Sequence, residues 1–340
     1  MTIPDTHRHA PVFPRMERRP QRVSGISLAR FEPLGPPGSR PTIARAMIPN
    51  VSAQEWFTAN RAELEAMLLK HGALLLRGFA KNDVGGFESF VEASAGPLME
   101  YDNRSTPRSR VAGRVFTSTE YPSDQSIPQH NEMSYTDSWP RRLCFGCLVA
   151  PAVGGQTPIA DSARVLARIP AQVRDRFERH GVMYVRNYGH GIDLPWQEVF
   201  QTDDPTAVDR FCSEHGIVAE WLPQGRLRTR QVAQATLTHP ATGEAVWFNQ
   251  AHLFHVSALP SDIADELMAQ FAPDELPRTA LYGDGTPIDA DALQAVRDAY
   301  SAEEIVFDWE EGDLLLMDNV LVSHGRRPFS GARRIVVGMA

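Results

Sequence analysis

The chain has 340 residues, 42% of them hydrophobic and 22% charged, with a formal net charge of −8, which is ample for a sizeable core and disfavours nucleic acid as a partner. No run approaches the ~20 apolar residues of a membrane span, and the opening stretch MTIPDTHRHAPVFPRMERRPQR has no apolar leader core, so a cytoplasmic location is expected. Three cysteines, an odd number, exclude a disulfide framework and fit a reducing compartment.

In chain order, residues 1–45 hold eight prolines, eight arginines and little apolar periodicity, and are expected to form an irregular arm. Order is expected to start near Ser52, within one domain over 46–340. Ser52 and Glu55 have the spacing of a capping box. Trp56, Leu64, Met67 and Leu68 then recur at helical intervals until Gly72 stops them. ALLLRGF (73–79) is a short apolar run flanked by glycines, the pattern of a buried strand, and a short helix is expected over 86–95. Beyond residue 113, strand-like segments dominate: VFTSTEY, RLCFGCLVA, VMYVRNY, AVWFNQ, EIVFDW, DLLLMDNVLVSH and RRIVVGM. Helical patterns interrupt them at 162–179, 206–214, 261–271 and 289–300. This succession predicts a mainly β fold with helical insertions rather than a βαβ array. Cys144 and Cys147 form a C-x-x-C inside RLCFGCLVA, where two small core residues are a better fit than a redox pair.

The segment IPQHNEMSY sets His130 and Glu132 two apart, a spacing that points both side chains to one face of a strand. Eleven histidines and 42 acids in 340 residues would give about 1.4 such pairs by chance, so the motif alone is weak. A third ligand at His324, in the C-terminal segment EEGDLLLMDNVLVSHGRRPFSGARRIVVGM, would complete two histidines and one carboxylate. Two histidines and one carboxylate make a facial triad that leaves three adjacent positions open on Fe(II), two for a chelating oxo acid and one for O2. A nearby arginine would hold the far carboxylate of the oxo acid. His252 and His255 sit at helical spacing, where packing or substrate lining is expected rather than a second metal. YGDGTPI is read as a turn, and Arg326 and Arg327 as solvated.

The segments GALLLRGF, TSTEYPSDQSIPQHNEMSY, FGCLVAPAVGGQTPIADS, YGDGTPI and EGDLLLMDNVLVSHGRRPFSGARRI occur in the order found in the taurine-dioxygenase-like (TauD/TfdA) family. The chain resembles that family of Fe(II)/2-oxoglutarate oxygenases from about residue 50 to its end, and within it the syringomycin-type amino-acyl hydroxylases. The resemblance implies a double-stranded β-helix, the cupin-like jelly roll, as a single oxygenase domain over 46–340. It implies His130, Glu132 and His324 as iron ligands, Thr157 as a contact to 2-oxoglutarate, and Arg333 as its carboxylate anchor. Arg334 competes with Arg333; neighbours on a strand face opposite ways, so only one can point inward. The implied reaction consumes 2-oxoglutarate and O2, releases succinate and CO2, and hydroxylates an unactivated C–H of an amino acid, free or tethered to a carrier protein. Desaturation and epoxidation share that chemistry, and a non-redox metal-binding β-barrel is the alternative outside it. Family halogenases have a small residue where Glu132 stands, which favours hydroxylation. Sulfonate-specific members have an arginine where this chain has Val337 or Gly338, which disfavours a taurine-like substrate. By position, Asn131, Glu120 and Arg104 are further candidate substrate contacts.

Overall fold

The computed structural model describes residues 25–99, 110–117, 121–189 and 191–340. Its largest sheet has eight strands, in the order Ala29–Pro33, Thr42–Ala46, Ala73–Arg77, Leu314–Asp318, Arg142–Val149, Arg334–Met339, Val115–Thr117 and Arg110–Ala112. Neighbours are antiparallel except for the parallel pair Thr42–Ala46 and Ala73–Arg77. Period-2 alternation sorts the apolar residues of the central strands between two cores. Leu74, Leu76, Leu314 and Leu316 join Trp56, Phe57, Leu64, Phe87 and Phe90 from the helices Ala53–Ala59, Arg61–His71 and Val84–Ala95. Leu75, Leu315, Met317 and Phe145 face the other way, with Ile159, Leu321 and Val322. Cys144 and Cys147 fall on opposite faces of one strand, one in each core, and burial pushes both thiols up to about 12. They are packing residues, as expected.

The second core is closed by a small sheet of Ile127–His130, Val322–Arg326 and Ile159–Asp161. DLLLMDNVLVSH reads as one strand in the sequence but is two. At Asp318 the chain turns out of the large sheet, and Asp318 Oδ1 accepts the N–H groups of Val320 and Leu321. The new strand then enters the small sheet. A further sheet, in the order Val218–Leu222, Arg226–Ala233, Val182–Tyr188 and Arg278–Tyr282, packs with the helices Ser162–Arg168, Ala171–His180, Ala251–Phe254 and Ala290–Glu303. The helix expected over 162–179 is broken at Pro170, which cannot donate an N–H and begins the second segment.

Two expectations require correction. The arm expected over 1–45 is not irregular throughout: Ala29–Pro33 is the edge of the large sheet and Thr42–Ala46 its neighbour. Proline is tolerated at such an edge, so Pro33 does not prevent strand formation. EIVFDW is not a strand; beyond a bridge between Ile305 and Ile159 it runs irregularly, burying Phe307 and Trp309.

Arg77 ends a central strand and reaches Asp313 through Nε (3.0 Å) and Nη2 (2.6 Å). Asp313 is almost fully buried. Asp313→Ala leaves a largely buried guanidinium with Glu310, 3.0 Å away and exposed, as its remaining carboxylate. A loss of about 3 kcal/mol is expected, measurable by urea denaturation.

Candidate metal centre

His130 ends its strand and lies directly across from His324 in the register of the small sheet. Their rings are 4.5 Å apart, and the His324 ring is 5.1 Å from Phe145 of the large sheet, so the pair lies between the two sheets. Glu132 Oε2 is 3.9 Å from His130 Nε2 and 3.8 Å from His324 Nε2. These separations are too long for hydrogen bonds. They lie within the roughly 4 Å that two ligands bonded to one ion at ~2.1 Å can span. Among the described residues this is the one cluster of three or more His, Cys, Asp or Glu able to hold a metal, with its ligand atoms all within 4.8 Å of one another. His130 Nδ1–H donates to the Pro128 carbonyl (2.9 Å), which turns the Nε2 lone pair toward the cluster. Glu132 is buried; a carboxylate beside two imidazole nitrogens is a surrounding suited to a cation.

Glu132 does not converge with His130 by strand alternation. The strand stops at His130, and a turn, with Met133 at φ +57°, delivers the carboxylate. Asn319, on the turn after Asp318, holds that segment: its Oδ1 accepts the Glu132 N–H and its Nδ2 donates to the Glu132 carbonyl. Asn131, expected by position as a substrate contact, is committed to the fold through its amide nitrogen. It is fully buried, and its Nδ2 donates to Asn319 O, Val322 O and Ser162 Oγ, tying the turn to the His324 strand. Glu120 and Arg104 lie outside the described residues.

Thr157 is buried and accepts a hydrogen bond from Trp309 Nε1 (3.1 Å), which leaves its own hydroxyl proton to be donated elsewhere. Segment 155–159 runs beside the His324 strand through Gly325 N to Pro158 O, Arg327 N to Gln156 O and the pairing of Ile159 with His324. Arg333 meets this segment, donating from Nε to the Gly155 carbonyl (3.1 Å). Burial, and then the neighbouring Arg326, lower its guanidinium to about 10. Arg334 is exposed. Arg326 is not solvated as expected: it is buried, and donates to the carbonyls of Tyr121, Pro122 and Gln125. Those contacts leave its charge unneutralised. Arg327 is exposed and pairs with Glu304.

Val337, one of the two positions set against the family's sulfonate-binding arginine, is fully buried in the apolar core with Phe116 and Phe145. His252 is a packing residue: burial lowers it to about 3, its Nε2–H donates to Gln129 O, and its ring lies 4.9 Å from Tyr300. Sequence reasoning missed Asn319 and Trp309. The only cue to Asn319 was the polar pair Asp318–Asn319 interrupting an apolar run.

Residues 30–340 match the model of the taurine catabolism dioxygenase TauD, TfdA family. The chain is 39% identical to the dapdiamide synthesis protein DdaC of Enterobacter agglomerans, over 88% of this chain and 90% of that protein. It is 32% identical to a clavaminate synthase-like protein of Arabidopsis thaliana, over 81% and 83%. Among solved structures, PvcB of Pseudomonas aeruginosa superposes with a TM-score of 0.55 at 16% identity, covering 92% of this chain and 90% of PvcB. Another PvcB structure, that of an Fe, α-ketoglutarate dependent oxygenase from an isonitrile synthetic pathway, gives 0.53 at 15% identity, covering 98% and 94%.

Proposed function

The chain belongs to the TauD/TfdA family of dioxygenases, and on that premise we propose that it hydroxylates an unactivated C–H of an amino acid or a carrier-tethered aminoacyl group in natural-product synthesis. It is an Fe(II)/2-oxoglutarate-dependent dioxygenase, with a family of large sheets and helices to match. The facing of the small sheet toward the large one across a shared apolar core supports the jelly-roll form of that fold.

In this reading His130, Glu132 and His324 hold the iron, and the observation that carries it is their convergence from segments some 190 residues apart. Bound there, Fe(II) supplies the chemistry by which 2-oxoglutarate and O2 become succinate, CO2 and an oxidant for the substrate C–H. The chain's own residues orient and exclude. His130 presents Nε2 because Nδ1 is committed to Pro128. Arg333 grips the far carboxylate of 2-oxoglutarate with a charge-assisted fork, and the Thr157 hydroxyl donates a further bond to the oxo acid. Arg326 adds positive charge without competing as a ligand. Glu132 occupies the position that a halide would need, which supports hydroxylation over halogenation. The buried Val337 supports a substrate other than a sulfonate.

The two relatives named for dapdiamide synthesis and an isonitrile pathway support a small amino-acid-like substrate, and a peptidyl carrier protein is its proposed bearer. No helix among the described residues is long and apolar enough to cross a membrane. Protein supplied with Fe(II), 2-oxoglutarate and O2 is expected to form succinate in step with a product 16 Da heavier than one member of a panel of free and carrier-loaded amino acids. Stoichiometric zinc binding, with no 2-oxoglutarate turnover under any substrate, would contradict it.

A further inference from the structure

We infer that Asn319 is a positioning residue that fixes the Glu132 carboxylate relative to His324. The inference rests on the metal assignment above and extends it to a residue that touches no metal. Glu132 sits on a turn, not a strand, and so has no ladder partners for its backbone. Buried N–H and C=O groups must nonetheless be satisfied. The Asn319 side chain satisfies both at one residue: Oδ1 accepts from Glu132 N (2.7 Å) and Nδ2 donates to Glu132 O (2.9 Å). A two-point grip of this kind fixes the rotation of the residue as well as its place. The same Nδ2 donates to Pro140 O (2.8 Å), and the Asn319 backbone donates to Arg141 O and accepts from Asn131 Nδ2. Asn319 is fully buried, so no water competes for these bonds.

The turn that carries Asn319 is itself anchored. Asp318 Oδ1 accepts from Val320 and Leu321, and Oδ2 accepts from His239 Nε2 (3.2 Å). His239 Nδ1 accepts the N–H groups of Ala241 and Thr242, so its proton is on Nε2 and donates to Asp318. Five residues after Asn319 comes His324. One amide therefore gauges the distance between two ligands 192 positions apart in the chain. The neighbouring Met133, held at positive φ, is the kind of strained backbone that persists only where its surroundings over-determine it.

The test uses Co(II) as the probe ion, read by its visible absorption, on the full chain. Asn319→Ala removes the grip. Asn319→Asp keeps the size but loses both donors and sets a carboxylate against the Glu132 and Pro140 carbonyls. Both are expected to bind Co(II) about 10- to 100-fold more weakly, as when support behind a ligand is removed. In a Glu132→Ala background the same substitutions are expected to change Co(II) affinity by less than about twofold, because the coupling runs through Glu132. Wild-type affinity in Asn319→Ala, or the same loss with and without Glu132, would overturn the role. If neither variant folds, hydrogen exchange on the metal-free wild type decides: the Glu132 amide is expected to be slow, and exchange at the rate of a surface turn would overturn it. A wild type that binds no Co(II) would refute the metal centre itself, and this role with it.

Discussion

His324→Ala is expected to abolish 2-oxoglutarate turnover, by about a thousandfold or more, while the protein stays folded. The loss should exceed the 10- to 100-fold typical of residues that only support a ligand, because a direct metal bond is removed. With two ligands left the ion is no longer held in a facial arrangement. His324 is buried against Phe145 and His130, so truncation also opens a small cavity, with an expected cost of about 2 kcal/mol. Thermal melting and Co(II) binding separate the two effects. A modest fall in melting temperature with complete loss of the ion is the expected pair. A variant that melts lower yet keeps metal-dependent turnover would mean that His324 is an ordinary core histidine.

Arg333→Gln is expected to raise the KM for 2-oxoglutarate roughly a hundredfold, and Arg334→Gln to leave it nearly unchanged. Hydrogen bonds between charged partners contribute about 1.5–3 kcal/mol each, and a guanidinium can make two to one carboxylate. Arg333 is half-buried beside Gly155, two residues from Thr157, whereas Arg334 is exposed at the start of the next strand. Arg333→Lys keeps the charge but not the planar fork, so an intermediate KM is expected. Titration of 2-oxoglutarate against succinate formation measures all three. Equal effects at both positions, or the larger one at Arg334, would reverse the assignment.

Much of the architecture was legible because burial imposes a period. The alternation of Leu74, Leu75 and Leu76, and of Leu314, Leu315 and Leu316, is what a strand between two cores requires. The iron-binding residues were legible only through the spacing of His130 and Glu132 joined to a resemblance, since no local pattern ties His324 to them. Three features were hidden, each for a physical reason. The strands at 29–46 lie among prolines that an edge tolerates and an interior would not. Asn131 looks like a site residue from its place between two ligands, yet a turn reverses the side chains, and its amide serves the backbone of the His324 segment. Arg326 looks like a surface cation, but the carbonyls that bury it come from the loop at 121–125, some 200 positions earlier. Long-range backbone satisfaction leaves no periodic trace, which is also why Asn319 passed unseen.

The most direct measurement is anaerobic titration of the protein with Fe(II) and 2-oxoglutarate together. A weak visible charge-transfer band is predicted to appear at one iron per chain, to require both components, and to vanish in His324→Ala. No band at any ratio, or one that survives loss of His324, would contradict a ferrous site built from His130, Glu132 and His324 with room beside it for a chelating oxo acid.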